Sequence, residues 1–365
     1  MNRFIILIYF FIVLIIYTLM NIFVYLQISK IFNFSYDDKK YLLIILIICE
    51  LSFILWEIMR KFYHLAILNL IEYFYLGIIS ISFSVLLVFY FITELFPENV
   101  RMLNIISFII IFILILISIY NGLKIPMVKN INIRYENLPE ILENFTIVQL
   151  SDLHLGDFAS KKRINEIIDK TNELKADIVV ITGDLIDRDV CKIDNICTPF
   201  LELKTKYGIF AVSGNHDIYT GYKLFLSWAK DNNIKVLDND LIQLNDDLEI
   251  AGIKDNEYNS IFRDNKIKKI FNNFSNKKFT IFLSHRPTNF KIVSENGVNL
   301  QLSGHTHKGQ IPPINILIYL LYKYPYGLYK LNNSYIYTTS GTETWGPPMR
   351  LFSRNEIVKI ILQKG

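Results

Sequence analysis

Two histidines one residue apart, His305 and His307, lie in the stretch Leu302-Ser303-Gly304-His305-Thr306-His307-Lys308-Gly309-Gln310. This stretch follows the alternating apolar run Val298, Leu300, Leu302, which reads as a strand. Imidazole nitrogen is the commonest protein ligand for mid-series divalent ions, and Gly304 permits a sharp turn that lets both rings face one point. Taken alone, the pair is equally consistent with two surface histidines on a turn. The chain has only six histidines, however, and five of them follow directly on apolar, strand-like runs.

Those runs and their sequels come in a fixed order. Phe145 to Leu150 leads into Ser151-Asp152-Leu153-His154, and Ile178 to Thr182 into Gly183-Asp184-Leu185-Ile186-Asp187. Gly208 to Val212 leads into Ser213-Gly214-Asn215-His216-Asp217, Phe279 to Leu283 into Ser284-His285, and Val298 to Leu302 into the paired histidines. A single Asp-x-His or Gly-Asp is weak, because Asp and Gly are ordinary turn formers at strand ends. Ligands in open α/β sheets bind at the carboxyl ends of strands, so five such ends can converge on one site. Together they offer about seven or eight oxygen and nitrogen ligands and no thiolate, a set that suits two divalent ions better than one. In such a site a shared carboxylate and a bridging water or hydroxide hold the ions together, and the ions activate that water for attack on a phosphoryl group.

The ordered blocks Asp152-x-His154, Gly183-Asp184, Gly214-Asn215-His216-Asp217, His285 and Gly304-His305-x-His307 resemble the calcineurin-like metallophosphoesterases. Within that family the chain is similar to the membrane-associated bacterial branch of YkuE-like proteins and UDP-2,3-diacylglucosamine hydrolases, whose closing segment also resembles Ser340-Gly341-Thr342-Glu343-Thr344-Trp345-Gly346-Pro347-Pro348-Met349-Arg350. The resemblance covers about residues 140 to 362. It implies a four-layer α/β/β/α sandwich, with Asp152, His154, Asp184 and His307 on one metal and Asp184, Asn215, His285 and His305 on the other, Asp184 bridging. It also implies that Asp152, Asp184 and His216 form the catalytic set. His216 would contact the phosphate and protonate the leaving oxygen, oriented by Asp152 or Asp217. Lys308 departs from the branch, which often has glycine there, and either binds substrate phosphate or faces solvent. Arg350 is either a bidentate phosphate contact or a structural ion pair. Asp157 and Asp187 read as turn formers or as carboxylates supporting the ligands from behind.

The elements that carry these residues belong to an α/β domain that begins near Lys124, where charges become regular and Pro126 ends an apolar run; residues 126–365 are ample for a large core. Before it, residues 1–125 hold four long apolar runs, Phe4 to Leu26, Tyr41 to Met59, Leu65 to Phe91 and Met102 to Ile119. Each is long enough to cross a hydrocarbon core of about 30 Å and apolar on all sides, which predicts a four-helix transmembrane region. The chain as a whole is 52% hydrophobic, too apolar for a purely soluble protein of 365 residues. Glu50, Glu57 and Glu72 fall in or near these runs; Glu57 reaches toward Arg60 and Lys61, and Glu50 reads as a paired carboxyl or a polar-ligand contact. Arg3, Arg60, Lys61, Lys124, Lys129 and Arg134 on one side outnumber Lys30, Lys39, Lys40 and Arg101 on the other, which predicts a cytoplasmic catalytic domain.

A net charge of +4 gives no broad electrostatic footprint for nucleic acid. Cys49, Cys191 and Cys197 have neither zinc-site nor disulfide-framework spacing. The apolar segment Ile311 to Leu321, directly after the paired histidines, is too short to span a bilayer and is either an interfacial segment or a buried core helix. The sequence therefore predicts a membrane-anchored phosphohydrolase with two divalent ions, manganese first among manganese, iron, zinc and cobalt. Its substrate would be a phosphodiester or pyrophosphate, lipid-linked because the anchor places the site beside the bilayer and, as the resemblance implies, of the UDP-2,3-diacylglucosamine type, with a soluble phosphoester as the alternative. A non-catalytic scaffold or sensor would be expected to have lost ligands, and every position is filled.

Overall fold

The computed structural model describes residues 3–59, 66–156, 159–187, 198–255, 260–271 and 278–365. His64, Arg60, Lys61, Asp157, Cys191 and Cys197, and the side chains of Arg3 and Glu57, lie outside what it describes. The chain forms two compact units. One comprises Met1–Leu123 with two short downstream segments, Ile311–Ile314 and Gly346–Phe352; the other comprises Lys124–Gln310, Asn315–Trp345 and Ser353–Gly365.

The first unit is helical because its Ile-, Leu- and Phe-rich runs offer the backbone few polar partners, and a helix satisfies the backbone within itself. Its helices are α1 (Arg3–Ile31), α2 (Tyr36–Met59), α3 (Ala66–Leu95) and α4 (Val100–Leu123). Among the described residues three stretches are long and apolar enough to cross a membrane: Phe11–Ile31, Leu70–Leu95 and Pro97–Leu123. The expected second span falls in α2, which is not among those three; its Glu50 accepts a hydrogen bond from Thr18 Oγ1 on α1. Tyr75 on α3 donates to Asn21 Oδ1 on α1 at 2.5 Å, a second polar pair across helices.

Two pieces of downstream chain pack into this unit. Ile311, Met349 and Leu351 are buried with Ile81 of α3 and beside Leu114, Ile115 and Ile119 of α4. Ser80 Oγ donates to Pro312 O at 2.6 Å, and Arg350 N to Ser118 O at 2.7 Å. Gly122 allows this approach: a Cβ there would lie 2.3 Å from Pro348 O.

The second unit contains two six-stranded sheets. The first has the order β1 (Met127–Tyr135), β12 (Glu356–Lys364), β2 (Thr146–Leu150), β3 (Ile178–Thr182), β4 (Ile209–Val212), β5 (Ile234–Val236). The second runs β10 (Gly327–Leu331), β11 (Ser334–Thr338), β9 (Leu300–Ser303), β8 (Phe279–Ser284), β7 (Leu248–Ile253), β6 (Asp240–Gln243). Strands β2 to β5 are mutually parallel, as are β7, β8, β9 and β11, so their carboxyl ends lie on a common edge in each sheet.

Alternation along each strand sorts the side chains into layers. Ile147, Ile178, Val180, Phe210 and Val212 of the first sheet share one buried cluster with Ile250, Ile281, Leu283, Leu300 and Leu302 of the second. Their neighbours Val148, Leu150, Val179, Ile181 and Ala211 face the opposite way, onto α5 (Lys161–Glu173) and α6 (Asn215–Asp231). Across the molecule Ala251, Ile253 and Phe282 pack on α7 (Ser260–Phe271) and α8 (Phe290–Glu295). This is the α/β/β/α arrangement, and its strands are buried on both faces, which is why they read as continuous apolar runs.

Candidate metal centre

Each polar cluster sits at the carboxyl end of its strand: Asp152 and His154 after β2, Asp184 and Asp187 after β3, Asn215 and His216 after β4, His285 after β8, His305 and His307 after β9. Five of these residues turn into the left-handed region, Asp152 (φ 53), His154 (φ 45), Asp184 (φ 50), His305 (φ 72) and His307 (φ 48). For residues other than glycine such backbone costs of order 1–3 kcal/mol each, and it persists where the surrounding structure fixes it for a purpose. Here it aims side chains from two sheets at one place.

The side chains meet in two triads, Asp152 with His154 and His307, and Asp184 with His285 and His305. In the first, His154 Nε2 stands 3.1 Å from His307 Nε2, and His307 Nε2 stands 3.4 Å from Asp152 Oδ1. In the second, His285 Nε2 is 3.1 Å from both Asp184 Oδ2 and His305 Nδ1. Ligand atoms about 2.1 Å from a common ion stand about 3.0 Å apart at octahedral corners and about 3.4 Å apart at tetrahedral ones. The observed spacings fall in that interval, and the donors are nitrogen and carboxylate oxygen, so the residues fit divalent metal. Asp152, Asp184 and His285 are almost wholly buried, which is sustainable for charged groups only with paired charges or a metal.

The outward nitrogens of these rings are held. His285 Nδ1 lies 2.8 Å from Thr182 O, and His154 Nδ1 lies 2.7 Å from Asp187 Oδ1, which leaves each Nε2 free to face the centre. The same Asp187 oxygen lies 2.7 Å from Nδ1 of His216. Asp187 thus joins His154 of the first triad to His216, and the three also stand close enough together to form a third candidate group. The carboxylate expected to orient His216 is neither Asp152 nor Asp217. Asp217 caps the strand ends, accepting from Leu185 N, Ile186 N and Gly214 N, while Asp152 accepts from His305 N and Ser151 Oγ.

Residues 145–309 fit the sequence model of the family described as calcineurin-like phosphoesterase. An uncharacterized metallophosphoesterase of Campylobacter jejuni is 31% identical to this chain over 98% of both lengths. The chain belongs to the calcineurin-like metallophosphoesterase family. YkuE of Bacillus subtilis, also an uncharacterized metallophosphoesterase, is 31% identical over 62% of this chain and 82% of its own. A zebrafish transmembrane protein with metallophosphoesterase domain is 31% identical over 72% of this chain and 63% of its own. This chain spans just under two thirds of that relative's length, and likewise 65% of two Helicobacter pylori relatives. Members of the family use divalent metals, and the apolar helices together with the transmembrane relative fit a membrane-associated chain.

Within the metallophosphoesterase domain the structure adds a residue that sequence reasoning missed. Arg286 donates through Nε to both oxygens of buried Asp255, at 3.0 and 2.9 Å, and its other nitrogens reach His305 Nε2 at 3.0 Å and Asn215 Oδ1 at 3.3 Å. It therefore links the two residues, Asn215 and His305, that sequence assigns to one metal. Its neighbour in sequence is His285, the one available signal. Of the remaining candidates, Lys308 lies over the Tyr326 ring at 4.5 Å. Arg350 is fully buried and belongs to the helical unit, where its backbone N–H donates to Ser118 O on α4.

Gly304 has a role other than the turn expected of it. A Cβ there would lie 2.0 Å from Ser151 Oγ and 2.4 Å from Asp152 Oδ2, so the backbone must pass directly over a ligand carboxylate. Gly304→Ala is expected to displace Asp152 and lower metal affinity about 10- to 100-fold, the range for disturbed ligand support, in equilibrium dialysis against manganese. Unchanged affinity would show that Asp152 has room to yield.

Without metal, protons compete for the same sites. Burial opposes charge on His285, but Asp184, followed by Asp152, overrides it and raises the imidazole to about 9. Burial and then the charge of Asp184 push Asp152 up, whereas Asp184 is held well below the usual range against burial, chiefly by His285 and His216. Below pH 9 a metal must therefore displace a proton from His285, and apparent affinity should rise by up to about tenfold per pH unit between pH 6.5 and 8.5. Titration calorimetry in two buffers of different ionisation enthalpy checks this; the same heat in both would mean that no proton leaves.

Proposed function

We propose that the chain is a membrane-anchored, metal-dependent phosphohydrolase with a dinuclear centre. Asp152, His154 and His307 would hold one divalent ion, and Asn215, His285 and His305 the other. Asp184, whose Oδ2 faces His285 and whose Oδ1 accepts from His216 N at 2.9 Å, would be shared between them. Manganese is the first expectation. The observation that carries the reading is the pair of triads at ligand spacing on the strand ends of a metallophosphoesterase fold, with His216 beside them but in neither. When bound, the ions would supply Lewis acidity and a nucleophilic water at neutral pH.

The protein's own groups account for the rest. His216 is partly exposed, and Asp187 fixes its Nδ1, which directs Nε2 outward as a proton donor. Burial disfavours the imidazolium, yet Asp184 and Asp187 raise it to about 9, so without metal the ring is protonated at neutral pH. Trp345, half exposed and edge-on to the His216 ring at 5.7 Å, walls the same place with an apolar surface.

A phosphodiester or pyrophosphate is the favoured bond, and a lipid-linked substrate such as UDP-2,3-diacylglucosamine accords with the apolar helices and with the resemblance of the closing segment. The excess of basic residues flanking the spans supports a catalytic domain on the cytoplasmic side. The test is hydrolysis by detergent-purified protein, with and without manganese, of bis-p-nitrophenyl phosphate and of a UDP-linked diacyl sugar. Manganese-dependent turnover of either establishes the phosphohydrolase, and preference for the second establishes the lipid linkage. Metal binding with no turnover of any phosphoester would sink the enzymatic reading in favour of a scaffold.

A further inference from the structure

The segment after the paired histidines forms a helix, α9 (Ile314–Leu321), with the sequence INILIYLL. None of its residues is buried. Ile316, Leu317, Tyr319, Leu320 and Leu321 are 66, 48, 51, 76 and 75% exposed, so the buried core helix that the sequence left open is ruled out. Its one strongly polar side chain, Asn315, turns back to donate to Lys308 O at 3.1 Å. A helix apolar on all sides is stable in a protein core or in lipid, and this one has no core around it.

The chain also shows what covers it. The residues entering α9, Ile311–Ile314, belong to the unit of membrane-crossing helices: Ile311 is buried with Ile81, and Pro312 O accepts from Ser80 on α3. The helix thus continues directly from a segment already packed on membrane-crossing helices. One residue before that segment, Gln310 ties the start of α9 to the rim of the metal centre. Gln310 Nε2 donates to Trp345 O at 2.9 Å and Trp345 N donates to Gln310 Oε1 at 3.1 Å, and the Trp345 ring stands against His216.

We infer that α9 lies in the interfacial layer of the bilayer, with its apolar side chains among the acyl chains, and that it sets the mouth beside His216 at the lipid surface so that a membrane-resident phosphoester reaches it without leaving the bilayer. The bilayer contact stands on the exposure and connectivity of α9; the substrate half rests on the phosphohydrolase reading.

The experiment uses the full chain with its native cysteines replaced by serine, a single L320C labelled with an environment-sensitive nitrobenzoxadiazole, and nanodiscs of phosphatidylethanolamine and phosphatidylglycerol. Doxyl groups near the headgroups should quench the label more strongly than doxyl groups deep in the acyl chains. A label on K330C, an exposed strand position, should be quenched by aqueous iodide instead. Iodide quenching at L320C equal to that at K330C, or protection of L320C from both quenchers as in a contact with a second copy, overturns the inference. A second measurement follows hydrolysis by L317D/L320D. It should keep turnover of soluble bis-p-nitrophenyl phosphate and lose at least about tenfold with a phosphoester embedded in vesicles. Equal retention of both overturns the substrate half, and lipid quenching in a wild-type protein that hydrolyses nothing leaves the bilayer contact standing while removing the enzymatic reading.

Discussion

Asp184→Ala is expected to abolish high-affinity metal binding and to lower hydrolysis by at least about 10³-fold, several kcal/mol of transition-state stabilisation. The carboxylate is 2% exposed, and each of its oxygens is engaged, one by His216 N and the other by His285 Nε2. Its removal takes a ligand from His285 and His305 and also removes the leading charge that holds His285 and His216 up at about 9. Those imidazoles should then titrate lower, so the variant is predicted to bind fewer protons at neutral pH as well as less metal. Emission spectrometry for metal content, together with thermal unfolding to verify the fold, checks the prediction. A folded variant retaining two metals per chain, or turnover within about tenfold of wild type, would remove Asp184 from the bridging position. The isosteric Asp184→Asn should fall between, since it keeps the acceptor for His216 N but not the charge.

How far the site could be read from sequence depends on whether a residue's neighbours along the chain reveal its partners in space. The clustering of these side chains was legible because histidine is scarce here and strand ends of a parallel sheet share an edge, so type and position agree without any knowledge of pairing. Asp187 reads as a turn former or a supporting carboxylate, but which rings it holds was not legible, because they lie 33 residues away at His154 and 29 residues away at His216. Arg286 was hidden for the same reason: its direction is set by Asp255, 31 residues upstream. For Arg350 the glycine- and proline-rich setting left a phosphate contact and a structural ion pair open and announced no packing. The structure instead packs Met349 and Leu351 with Ile81 and brings Pro348 against Gly122, contacts between segments over 200 residues apart that no local pattern announces. The sheet order likewise escapes the sequence at β12, the last strand, which inserts between β1 and β2.

His216→Ala should leave the metal content intact and lower turnover by about 10²- to 10⁴-fold, the usual worth of a positioned proton donor. The separation of the two effects follows from geometry, because the His216 side chain belongs to neither triad: its ring is held by Asp187 and stands edge-on to His154 at 4.9 Å, and only its backbone N–H reaches Asp184. Asp187→Asn should show both effects in weaker form: a 10- to 100-fold loss of metal affinity through His154, and slower turnover through a His216 ring no longer fixed or charged. At saturating metal the double variant should be little worse than His216→Ala alone, since Asp187 then acts mainly through a ring that is already gone. The leaving group decides whether the ring gives a proton. Nitrophenolate departs without help, so the His216→Ala loss should shrink for p-nitrophenyl esters and stay large for alkyl esters. An equal loss for both would mean that His216 binds the phosphate without protonating the departing oxygen, and the raised imidazole would then serve as a fixed positive charge.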